Sequence, residues 1–182
     1  MKQTIIHLWK IVAVSTLLTA NTQAALSPEE SDEYNGQEAK AFEIKTVQGH
    51  NFALKENHGH VIIVNFFASW CPPCRSEIGQ LTQLHNQYSK QGLLILGFAV
   101  DPILTLDTVK DVKPMVENLG IPYSISLATK QIADDYKFKG IPTNILIDKD
   151  GKIAKTFYGY QDAKKLEVMI KKLLEQKPAK KE

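Results

Sequence analysis

The stretch FFASWCPPCRSE, residues 66–77, holds both cysteines of the 182-residue chain, Cys71 and Cys74, with two prolines between them. It continues VIIVNFF (61–67), a nearly unbroken apolar run of the kind that forms a strand buried on both faces. After the cysteines Ile78, Leu81, Leu84 and Tyr88 recur at helical spacing until Gly92. A buried strand that feeds directly into a helix puts the linking residues at the carboxyl edge of a sheet. Cys71 then falls near the N-cap and Cys74 one turn in, which brings their Cα atoms within the roughly 4.4–6.8 Å that a disulfide requires. The helix end carries about +0.5 elementary charge and free N–H groups, which favour a thiolate over a thiol. Cys71 is therefore the candidate nucleophile and Cys74 its resolving partner.

Two other chemistries compete for a C-x-x-C. A staple closing a loop of about four residues removes roughly 2 kcal/mol of unfolded-chain entropy, against about 3 for a loop of about 15, so it is a weak use of a chain's sole disulfide. A zinc site needs about four ligands and this motif supplies half of them. His58 and His60 precede the buried strand whereas the cysteines follow it, which predicts opposite ends of the sheet. A pair that cycles between dithiol and disulfide fits best, and it calls for no metal and no cofactor. Pro72 suits the first helical position, where its missing N–H is not needed. Pro73 removes a second N–H that would otherwise stabilise the Cys71 thiolate, and reduced-state stabilisation is what makes such pairs oxidising. A reductant-leaning pair is expected.

Outward from this stretch the pattern is α/β. AFEIKTV and HNFAL flank Gln48-Gly49 and alternate in polarity, which predicts a short hairpin. LLILGFAV (93–100) reads as a second buried strand, and Asp111 as a cap for a helix carrying Val112, Met115, Val116 and Leu119, with Pro114 in its first turn and Gly120 ending it. IPYSISLA reads as a strand, 130–137 as a short helix, and NILIDKDGKIAKTFY as a hairpin turning at Asp150-Gly151. A last helix from about Asp162 to Gln176 turns Leu166, Met169, Ile170, Leu173 and Leu174 inward. The sum is one domain over 41–177 with a mixed central sheet flanked by helices. Residues 25–40 are polar and acidic without periodicity, which predicts a loosely ordered lead-in, and 178–182 a frayed tail.

The first 24 residues read differently. Lys2 and Lys10 precede an apolar run, IVAVSTLLTA (11–20), and small residues surround Ala24, which describes a secretory signal. The run falls short of the about 20 residues that span a bilayer, so a retained membrane anchor is the lesser alternative. Loss of Lys2 and Lys10 takes the formal charge of +2 to zero, leaving no electrostatic excess for nucleic acid or anionic membranes.

VNFFASWCPPC resembles the V-N-F-W-A-x-W-C-x-x-C of thioredoxin-like proteins of the TlpA/ResA/DsbE type, exported thiol–disulfide oxidoreductases. The resemblance runs from about Ala41 to the last helix and takes in GIPTNILID and the following DGKI. Phe67 departs from the commoner Trp. The likeness implies a thioredoxin-like fold with an N-terminal β-hairpin and an inserted helix–strand over 101–128. It also implies that Pro142 is a cis-proline beside the cysteines, that the Ile141 backbone is free to pair with an extended client, and that Trp70 borders the nucleophile as a platform. Glu77, one turn after Cys74, matches a glutamate that such reductases carry there and is a candidate proton acceptor for Cys74. Asn65 stands where cytosolic thioredoxins have an acid. Arg75 reads as an ordinary exposed side chain. The implied partners are a disulfide-containing protein, with apocytochrome c the common client, and a membrane thiol donor of the DsbD/CcdA type, all outside the cytoplasm. A disulfide-donating oxidase or isomerase is the alternative. A thiol peroxidase lacks its Thr/Ser–Cys arrangement here, and a copper-delivery module its wider cysteine spacing.

Overall fold

The computed structural model describes residues 29–105 and 108–179; the expected leader over 1–24 lies outside them. The elements in chain order are β1 (Glu29–Ser31), β2 (Glu43–Lys45), β3 (Asn51–Ala53), β4 (Val61–Phe67), α1 (Pro72–Tyr88), β5 (Leu93–Ala99), α2 (Asp101–Leu104), α3 (Val109–Asn118), β6 (Ser124–Leu127), α4 (Lys130–Asp135), β7 (Thr143–Ile147), β8 (Ile153–Tyr158) and α5 (Ala163–Glu175). Six strands form one sheet in the order β1-β8-β7-β4-β5-β6, and β2 and β3 form a separate antiparallel pair. β4, β5 and β6 run parallel, while β7 and β8 return antiparallel, so the sheet is mixed as the sequence predicts.

Every residue of β4 is buried, which accounts for its unbroken apolar run. Phe66 stacks on Phe98 of β5, with ring centroids 5.5 Å apart. Gly97 makes room for its neighbour: a Cβ there would lie 2.9 Å from the Phe67 ring and 2.5 Å from Ile125. On α1, Ile78, Leu81, Leu84 and Tyr88 are buried at the spacing read from the sequence, and Gly92 closes the following turn at φ 101. The β2–β3 hairpin docks on the outer edge of β6. There the Val47 N–H donates to the Ile125 carbonyl (2.8 Å), and Gln48 bonds the Tyr123 carbonyl and the Ile125 N–H through its side chain.

Two expectations need correction. Residues 25–40 are not loose throughout, because Glu29–Ser31 forms the outermost strand of the main sheet, paired with β8. Backbone pairing with β8 holds it, with ion pairs rather than hydrophobic periodicity alongside. Lys155 of β8, whose side chain is 12% exposed, reaches Glu30 at 3.0 Å and Asp32 at 2.8 Å, and Lys165 reaches Glu30 as well. The helix expected to start at Asp111 starts instead at Val109 after an N-cap at Thr108. Pro114 therefore sits beyond the first turn, where its missing N–H cannot serve the Lys110 carbonyl. Leu119 falls past the helix end and is largely exposed, while Val112, Met115 and Val116 are buried as expected. Among the described residues no helix is long and apolar enough to cross a membrane.

Candidate active site

The carboxyl ends of β4 and β5 set the site. β4 runs out at Phe67, the Cys71 N–H bonds back to the Ala68 carbonyl (3.2 Å), and α1 begins at Pro72. Cys71 is the N-cap residue in extended conformation. Its sulfur accepts the Cys74 N–H at 3.3 Å, and the two sulfurs are bonded at 2.08 Å with Cα atoms 5.3 Å apart. Pro72 and Pro73 have no N–H, so of the residues in the first helical turn only Cys74 offers the Cys71 sulfur a donor. The pair is more enclosed than an accessible nucleophile suggests. Cys71 is 4% exposed and Cys74 1%, and the exposed neighbours are Trp70, Pro72 and Pro73. His58 and His60 precede β4, and its seven residues separate them from the cysteines by about 20 Å.

The register of β7 against β4 brings the second loop to the same edge. Phe66 pairs with Thr143, so Pro142 and Ile141 lie beyond it, beside the last residues of β4. The Ile141–Pro142 peptide bond is cis. The Pro142 carbonyl accepts the Gly159 N–H at 2.8 Å, whereas no backbone hydrogen bond among the described residues uses the N–H or C=O of Ile141. Trp70 is 48% exposed at this edge and Ile141 is half-buried, so an exposed aromatic ring and a backbone segment without backbone hydrogen bonds lie at the end of the sheet that carries the disulfide.

Glu77 is fully buried, one turn along α1 from Cys74. Its Oε1 accepts the Gln161 N–H (2.9 Å) and its Oε2 accepts Asn65 Nδ2 (3.1 Å). Burial raises its pKa from the ordinary 4.5 to about 7, with the Gln161 N–H and the amides of Asn144 and Asn65 acting in the opposite direction. A group at that value is divided between its two forms at neutral pH, which suits proton exchange with a thiol.

The same burial has a cost in stability. The folded chain holds this proton more tightly than the unfolded one, so the contribution is fully present below about 4.5 and is lost as pH rises through about 7. The loss is on the order of 3 kcal/mol above neutrality. Glu77→Gln is expected to raise the urea midpoint at alkaline pH and to change it little at acid pH. Parallel denaturation curves of the two proteins would show this, and a shift of equal size at both pH values would refute it.

Three participants escape motif reading. Asp101, fully buried, follows β5 after Val100 and accepts both the N–H (3.1 Å) and the hydroxyl of Ser69, while Arg75 Nε donates to the Ser69 carbonyl at 3.0 Å. Ser69 is thus fixed through all its polar groups, two residues before Cys71. The faint signal for Asp101 was an acid placed immediately after the second buried strand, at the edge that carries the cysteines. Asn144 and Gln161, which surround Glu77, had no signal beyond lying next to strand ends.

Comparison with known proteins agrees with this geometry. The AhpC/TSA family matches residues 35–156. The thiol-disulfide oxidoreductase ResA of Bacillus cereus (strain ZK / E33L) is 32% identical over 140 residues, covering 76% of this chain and 78% of that protein. The crystal structure of a thiol:disulfide interchange protein of the thioredoxin family from Chlorobium tepidum TLS superposes with a TM-score of 0.67 at 31% identity, over 79% of this chain and 99% of that one. StoA from Bacillus subtilis superposes with a TM-score of 0.60 at 25% identity, over 71% and 96% respectively. With the fold, the helix-capping cysteine pair and these relatives in agreement, the chain belongs to the AhpC/TSA family and is a thioredoxin-like thiol–disulfide oxidoreductase.

Proposed function

We propose that the protein works outside the cytoplasm as a reductase of protein disulfides, with Cys71 as nucleophile, Cys74 as resolving thiol and Glu77 as proton acceptor. The Cys71 thiolate attacks one sulfur of the client disulfide, and the other client sulfur leaves as a thiolate that takes a proton. Cys74 then passes its proton to Glu77 and attacks Cys71, so the second client sulfur departs with the proton that Glu77 returns. Two electrons have moved from the dithiol to the client, and the Cys71–Cys74 bond remains. The client lies across Trp70 and pairs with the Ile141 backbone beside Pro142.

The single observation behind the reducing direction is that two of the residues following Cys71 are prolines, so its thiolate gets one backbone donor, from Cys74. A poorly stabilised thiolate keeps the potential low, because reduced-state stabilisation is what raises it. The potential is expected to lie nearer thioredoxin, at about −270 mV, than a strong oxidant at about −120 mV, and equilibration with glutathione measures it. A value above about −170 mV would assign the protein to disulfide donation instead.

The leader-like segment over 1–24 supports export, and the resemblance to ResA-type proteins supports an apocytochrome c whose haem-attachment cysteines must be reduced as client. A membrane thiol carrier of the DsbD/CcdA type is the matching electron source.

A further inference from the structure

Asn65 and Asn144 are Cα partners across β4 and β7, both buried, and both side chains face the carboxyl of Glu77. Asn65 Nδ2 donates twice, to Glu77 Oε2 at 3.1 Å and to Asn144 Oδ1 at 2.9 Å. Asn65 Oδ1 is buried without a hydrogen-bond partner, and Asn144 Nδ2 makes no hydrogen bond of normal geometry although it lies close enough to Glu77 to lower its pKa. An unpaired buried polar atom costs about 1–3 kcal/mol, so one such atom and a poorly paired one on the residue opposite are an expensive way to fill a sheet. Apolar β-branched residues would fill those positions without that cost. What they could not do is answer a change of charge on the neighbouring acid.

An ionised carboxyl only accepts hydrogen bonds, whereas a protonated one must also donate. A primary amide is the neutral side chain that exchanges donor for acceptor by a half-turn, its nitrogen and oxygen trading places within an unchanged outline. We propose that Asn65 and Asn144 form a reversing relay that keeps Glu77 hydrogen-bonded in both of its protonation states; the proposal rests on Glu77 being the proton acceptor. With Glu77 ionised, the bonds run from Asn65 Nδ2 to Glu77 and to Asn144 Oδ1. With Glu77 protonated, both amides turn. The Glu77 O–H then donates to Asn65 Oδ1, and Asn144 Nδ2 donates to that same oxygen. The Gln161 N–H keeps its bond to Oε1 throughout, so the proton comes and goes without movement of α1 or of the loop before α5.

The surroundings of Glu77 leave this task to the amides. From β4 and β7 the facing groups are neutral, and from the loop before α5 the facing group is a backbone N–H. From the segment before β6, Tyr123 is the ionisable group that feels the charge of Glu77, and burial together with that charge holds its phenol protonated. At the head of α1 stand Cys74 and the N-cap Cys71, which do not titrate while bridged.

Nuclear magnetic resonance of the oxidised, isotope-labelled protein tests the relay directly. The Glu77 carboxyl carbon and the side-chain amides of Asn65 and Asn144 are followed from about pH 5 to about pH 9, a range that brackets a strongly raised carboxyl. All three are expected to shift with one midpoint. In Glu77→Gln, which carries a permanent donor, both amides should rest at the wild-type acid-side positions at every pH. If the carboxyl titrates while the Asn144 amide stays still, the relay is wrong and Glu77 remains the proton acceptor. If the carboxyl shows no transition in this range, both fall.

Discussion

Cys71→Ser is expected to reduce no client and capture none, whereas Cys74→Ser is expected to capture client through Cys71 and then stall. This asymmetry is the largest effect expected of any substitution in the chain. Both variants lose the same bond, worth roughly 2 kcal/mol for so short a loop, so a difference between them cannot come from loss of the bond itself. It comes from position. Cys71 caps α1 and its sulfur receives the Cys74 N–H, while Cys74 lies inside the first turn and is the more buried of the two. Loss of the nucleophile should take turnover down by at least about 10³-fold, to the background of uncatalysed exchange. Mass spectrometry of non-reduced samples, from cells expressing each variant, should find covalent adducts on Cys74→Ser alone and would name the client. Adducts of equal abundance on both variants would reverse or erase the assigned roles.

Glu77→Gln should slow resolution of the mixed disulfide at neutral pH by about 10²-fold, the lower end of what a positioned acid–base group contributes. The glutamate must be ionised to take the Cys74 proton, so wild-type turnover rises as pH passes upward through about 7. In the variant that step disappears, and the rate climbs only as Cys74 ionises unaided, at more alkaline pH. Client affinity should change little, because Trp70 and Ile141 are untouched. Turnover of a disulfide-bonded reporter across pH separates these outcomes, and a Gln variant with the parental profile would release Glu77 from the mechanism.

The sequence makes the cysteine pair, the buried strands and the long helices legible, because each depends on neighbours in the chain. VIIVNFF and LLILGFAV announce parallel central strands by composition, and the apolar spacing of α1 and α5 gives their inner faces. What stays hidden depends on distant partners. Whether Glu77 is a solvated helix residue or a buried acid turns on Asn65, Asn144 and Gln161, drawn from three separate segments. Asp101 looks like a strand-end turn residue until β5 is laid beside β4 and Ser69 comes within reach. The strand at Glu29–Ser31 is too short for any periodicity and is fixed by lysines more than 120 residues away, with Lys155 and Asp32 separated by 123. The start of α3 is hidden for a local reason: Thr108 carries no side-chain cap bond, so Asp111 is the stronger signal.

The borders of the sheet bear on how such an enzyme survives its own clients. A catalyst that handles unfolded chains risks having them zip onto any free strand and stay there. Here one border ends in the three-residue strand Glu29–Ser31, too short to template much pairing, and the other is occupied by Val47 and Gln48 of the hairpin. Further strand pairing is thereby discouraged at both flanks, while the Ile141 N–H and C=O stay free of backbone hydrogen bonds among the described residues.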